Sequence, residues 1–90
     1  MNIDFDKIKY NYDDDVLELI RNNIEYCTEN IHYLKSLGFD NSEEIFEKFA
    51  LIFIENPDEF KEKMNKFINK IGSDYIEILN NNMELWFDLF

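Results

Sequence analysis

The sequence holds little that breaks a helix and nothing that staples a fold. Its 90 residues contain one proline, Pro57, and two glycines, Gly38 and Gly72. So few punctuators argue against a turn-rich sheet and suit helices joined by short turns. There is one cysteine, Cys27, which excludes an internal disulfide and points to a reducing compartment. Basic residues are scarce: nine Lys and Arg against twenty Asp and Glu leave a net charge of −11. Phosphate-backbone binding needs cations that displace counterions, so no nucleic-acid partner is expected. The longest apolar run, Phe49 to Ile54, falls far short of the roughly 20 residues that span a bilayer. The residues after Met1 are acidic, unlike the basic and then apolar start of a secretory leader. A cytoplasmic location with no membrane segment is the expectation.

Large apolar side chains are plentiful. Nine Phe, five Tyr and one Trp make the chain 17% aromatic, so each core position can bury a large area. That favours a packed core over disorder, even in a chain this short. The clearest pattern lies between Tyr33 and Phe67. Gly38 follows Leu34 and Leu37 and suits the left-handed residue that ends a helix. Asn41 or Ser42 can cap the next helix, with Glu43 and Glu44 at its positive end. Ile45, Phe46, Phe49, Ile52 and Phe53 give that helix a broad apolar face. Asn56-Pro57-Asp58-Glu59 starts the next one, with proline at its first position and a near capping box. Phe60, Met64, Phe67, Ile68 and Ile71 carry its face, and Gly72 closes it.

The flanks are read from the same signals. Residues 1–12 form an N-terminal arm with at most one helical turn, and residues 13–90 a single helical domain. Asp13, Asp14 and Asp15 mark a helix start, where carboxylates offset the helix dipole. Adjacent on a helix, they lack the alternating spacing of a calcium loop. Val16, Ile20, Ile24, Cys27, Ile31 and Leu34 form one apolar stripe, which favours a continuous helix over 16–37, with a break near Thr28 as the alternative. After Gly72, Ser73 or Asp74 can cap a fourth helix through Ile76, Ile78, Leu79 and Met83. Asn80-Asn81-Asn82 lowers helix propensity and can stop it.

Short stretches recur. Glu44-Ile45-Phe46 and Glu77-Ile78-Leu79 follow the similar turns Leu34–Gly38 and Ile68–Gly72, at an offset of about 33 residues. Glu18–Tyr26 is a weaker third copy. Such a period implies an all-α array of stacked helical hairpins built from four main helices. Tyr33-Leu34-Lys35-Ser36-Leu37-Gly38-Phe39, Glu44-Ile45-Phe46 and the run from Phe67 into Glu77-Ile78-Leu79 resemble the repeats of mitochondrial transcription termination factor-like proteins. The resemblance covers roughly residues 16–90 and implies the hairpin fold. That family's repeat carries a proline late in its first helix, where Ile24, Ala50 and Met83 stand here. The basic surface with which its larger members bind nucleic acid is missing from this chain, so the resemblance does not bring that activity with it.

Candidate chemistry is sparse. Glu29 and His32 have the E-x-x-H spacing of a bundle metal site, but His32 is the sole histidine and a second such pair is missing. Cys27 lies on the apolar stripe, with no base nearby to activate it. No catalytic residue, metal or cofactor is expected. Lys63, Lys66 and Lys70 form a basic stripe, with Glu59–Lys63 and Glu62–Lys66 as helical pairs and a small docking patch as the alternative use. The segment Leu85-Trp86-Phe87-Asp88-Leu89-Phe90 is unusually apolar, and repeat alignment sets Trp86 at the buried place of Phe53. Phe87 and Phe90 have no core partner in that alignment.

The leading expectation is a non-enzymatic protein-interaction module that contacts a partner, or a second copy, through Trp86, Phe87, Leu89 and Phe90. The alternative is an acidic inhibitor or nucleic-acid mimic. It would present Asp13, Asp14, Asp15, Glu18, Glu25 and Glu29 to a basic cleft. Direct nucleic-acid binding rests on the family resemblance alone.

Overall fold

The apolar periodicities resolve into helices throughout. The computed structural model describes residues 3–90; residues 1 and 2 of the expected arm lie outside the described residues. It contains α1 (Phe5–Ile8), α2 (Asp14–Asn22), α3 (Ile24–Leu37), α4 (Ser42–Lys48), a 3-10 helix (Ala50–Ile54), α5 (Pro57–Ile71), α6 (Tyr75–Asn81) and α7 (Leu85–Leu89). Among the described residues there is no strand.

Two of the four expected helices are broken within their span, the fourth stops in the Asn80–Asn82 run that was expected to stop it, and α5 runs unbroken. The breaks fall at Asn23 (φ −120°, ψ 27°), Phe49 (φ −131°, ψ 44°) and Asn82 (φ −135°, ψ 66°). The first overturns the expected continuous helix over 16–37. Asn23 donates its Nδ2 to the Leu19 carbonyl at 2.9 Å, and an asparagine bonded to nearby backbone competes with helix propagation. Thr28, the expected site of a break, instead donates to the Ile24 carbonyl at 2.8 Å inside α3. Asn82 repeats the device, donating to the Ile78 carbonyl at 3.0 Å. The intervals between the three breaks are unequal.

The break at Phe49 has another cause. Phe49 was expected in mid-helix, yet the chain leaves α4 there and re-enters as a tighter 3-10 turn. The Tyr12 hydroxyl donates to the Glu47 carbonyl at 2.9 Å and accepts from the Ala50 N–H at 3.2 Å. It thereby takes up two backbone groups at the break. At the far end of the 3-10 helix, buried Asn30 donates its Nδ2 to the carbonyls of Phe53 and Glu55, at 3.0 and 2.9 Å.

The helix ends follow the sequence closely. Gly38 has φ 111°. The Phe39 N–H returns to the Leu34 carbonyl and the Gly38 N–H to that of Lys35, the paired bonds of a Schellman end. Pro57 opens α5, and Asn56 accepts from the Asp58 N–H at 2.9 Å. α1 is a single turn capped by Asp4, and it buries Ile8 completely.

α3 is the central element. It packs against α2, α4, the 3-10 helix and α5, while α6 and α7 pack against α5. An aromatic series runs through the interior: Phe46 to Phe53 at 5.3 Å, Phe53 to Phe60 at 5.5 Å and Phe60 to Phe90 at 4.8 Å. Each wholly buried Phe stabilises the fold by about 1.5–3 kcal/mol relative to exposure. Phe49 and Phe67, both expected in the core, are only half-buried.

Candidate functional site

α7 is too short to be stable alone, and its placement depends on what each side chain meets. Trp86 is completely buried, and its ring lies 5.7 Å from that of Phe39. It is core, the burial expected of it. It therefore presents no surface to a partner, which separates it from the other three residues expected at the interface. Phe90 does have a core partner, contrary to expectation: its ring lies 4.8 Å from Phe60. Phe87 points away and is 65% exposed. It rests edge-on against the half-buried Phe49 at 4.7 Å with planes 86° apart.

The remaining residues of α7 face α5. Leu85, Asp88 and Leu89, at i, i+3 and i+4, line one side of an open groove of about 440 Å³. Phe67 and Ile71 line it from α5, together with Lys63, Lys66 and Lys70. The sequence held both halves of this groove, the basic stripe and the apolar segment, but no local signal joined them. The usable clue was the mixed spacing 63, 66, 67, 70, 71, which puts lysines and apolar residues on adjoining faces of one helix.

Of the two expected lysine pairs, Glu62–Lys66 forms and Glu59–Lys63 does not. Lys63 binds Glu55 at 3.2 Å instead of Glu59, and its Nζ lies 5.5 Å from the centre of the Phe90 ring. Lys66 pairs with Glu62 at 3.5 Å in an exposed contact. The neighbouring Glu55 carboxylate raises the carboxyl of Glu59 above its ordinary value, and Lys63 only partly offsets this.

Asp13, Asp14, Asp15, Glu18, Glu25 and Glu29 are all exposed. Among the described residues none of the six forms an ion pair. Three flank the start of α2, Glu18 lies further along it, and Glu25 and Glu29 are on α3. His32 is exposed beside Glu29 in the chain, and no cluster of three His, Cys, Asp or Glu that could hold a metal occurs among the described residues. Cys27 is buried, and desolvation pushes its thiol up to about 12. No described helix is long and apolar enough to cross a membrane.

No protein-family model matches the chain, no curated protein is detectably similar to it, and no solved structure matches its fold.

Proposed function

We propose that the chain is a non-enzymatic protein-interaction module whose contact surface centres on Phe87. The observation that carries this reading is the 65% exposure of that ring on a helix whose other aromatic side chain, Trp86, is buried. Its edge-on contact with Phe49 narrows its rotamer freedom, which lowers the entropy lost on binding. The thiol of Cys27, buried and pushed up to about 12, is a packing group rather than a nucleophile. Cytoplasmic residence is part of the same proposal, supported by the lone unpaired cysteine.

The test is Phe87→Ser, followed by sedimentation velocity and by pull-down from the native host. Loss of self-association or of a captured partner, with unchanged melting, is the expected result. Assembly that survives the substitution overturns the reading.

A second reading is favoured by the six exposed carboxylates without ion pairs. They suit a basic partner, so the chain would act as an acidic inhibitor or nucleic-acid mimic. Affinity for such a partner falls steeply with added salt, whereas a contact made through Phe87 responds weakly. The resemblance to transcription termination factor repeats enters as a proposal about fold. It is supported by helix breaks just before Ile24, Ala50 and Met83, where that family's repeat carries proline. Duplex nucleic acid is left out of the proposal, on the charge of −11.

A further inference from the structure

The groove between α5 and α7 combines an apolar floor with a basic rim on a chain that is otherwise acidic. Phe67, Ile71, Leu85 and Leu89 supply the floor, and Asp88 is the one carboxylate in the lining against three lysines. Lys63, Lys66 and Lys70 stand along α5 at i, i+3 and i+7, so their ammonium groups can address successive turns of a ligand. Lys63 is engaged by Glu55. Lys66 has only its exposed contact with Glu62, and Lys70 has no ion pair among the described residues.

We propose that this groove docks an acidic amphipathic helix of a partner protein. Leucine-type side chains of that helix would lie on the floor, and its carboxylates would meet Lys66 and Lys70. The proposal rests on the interaction-module reading and adds the chemistry of the partner. It concerns a different face of α7 from Phe87.

The net charge of −11 does not forbid an acidic ligand here. At physiological salt the Debye length is about 8 Å. The molecule measures 37 × 25 × 23 Å, so carboxylates on its far side are largely screened while the lysines of the rim are not. A second copy of the chain is a poorer occupant. Its acidic amphipathic helix, α2, already buries Leu17 and Ile20 in its own core.

The test uses fluorescein-labelled helical peptides of about four turns, with leucine at i, i+3, i+4 and i+7 and glutamate on the flanking positions. Anisotropy titration against the whole chain should show saturable binding that weakens as salt rises from about 0.15 to about 1 M. Lys66→Glu/Lys70→Glu should weaken it by roughly tenfold or more. That variant should melt like the parent, because exposed ion pairs contribute little. Ile71→Ser, at a side chain already 37% exposed, should weaken binding without unfolding the protein.

Equal binding of a peptide with lysine for glutamate, or of one with serine for leucine, overturns the proposal. So does a dimer of the protein alone that Lys66→Glu/Lys70→Glu makes monomeric, since the groove would then be filled by a second copy. If no acidic peptide binds while Phe87→Ser still abolishes assembly, the groove proposal fails and the Phe87 reading stands. If the peptide binds and Phe87→Ser changes nothing, the reverse holds.

Discussion

The breaks at Asn82 and Phe49 have nearly the same backbone shape and opposite origins. At Asn82 the residue breaks its own helix, by bonding its side chain to the Ile78 carbonyl. At Phe49 nothing local stops the helix. The loose backbone groups are taken up by Tyr12, from the N-terminal arm, and the segment that follows is capped by Asn30 of α3. One break is written in neighbouring residues and the other in distant ones. The two should therefore respond differently to substitution.

The largest effect lies in the core that the Phe49 break serves. Phe53→Ala removes a ring wholly buried between Phe46 and Phe60 and should cost about 3–5 kcal/mol in chemical denaturation. Phe49→Ala, at a half-buried ring, should cost clearly less. Equal losses would mean that the two positions are not distinguished by burial. Next comes Asn30→Ala. It leaves two carbonyls, those of Phe53 and Glu55, without their donor, and about 2–3 kcal/mol should be lost. Tyr12→Phe keeps the ring and removes only the hydroxyl bridge. A loss of about 1–2 kcal/mol is expected, with faster amide exchange at Ala50.

At the other break the sign changes. Asn82→Ala removes a helix-breaking side chain at an exposed site, so stability should stay within about 0.5 kcal/mol of the parent or rise. A loss as large as that of Tyr12→Phe would erase the distinction between local and distant breaks. Near neutral pH the smallest effect belongs to the ionisation of Cys27, on the same helix as Asn30, whose thiol should leave stability flat with pH below 9. Its folded value of about 12 lies above the ordinary 9.0, so the unfolded chain ionises first. Stability then falls as pH rises through that window, and the difference in stability between the parent and Cys27→Ala should change with pH only there.

The same distinction decides what could be read from the sequence. The all-α class, the ends at Gly38 and Gly72, the start at Asn56-Pro57 and the stop within Asn80–Asn82 all depend on residues adjacent to the feature. The break at Asn23 was just as local, but the unbroken apolar stripe from Val16 to Leu34 masked it. Phe49 could not be read, because its partner Tyr12 lies 38 residues from Ala50 in sequence. The candidate site divides likewise. Burial of Trp86 was expected from its alignment with Phe53. The seat of Phe87 on Phe49, the stacking of Phe90 on Phe60 and the meeting of Lys66 and Lys70 with Leu85 and Leu89 needed the third dimension.

The Tyr12 bridge also has a consequence in time. Its two bonds span 35 and 38 residues, so the arm leaves the ribosome well before the carbonyl and N–H that it must meet. Closing that loop carries an entropy cost that other contacts of α3 must offset first. The hydroxyl should thus engage after the rate-limiting step, as a clasp on an assembled core. In stopped-flow chevrons, Tyr12→Phe should speed unfolding and leave refolding nearly unchanged, with a φ-value near zero. A value near one would make the arm part of the folding nucleus.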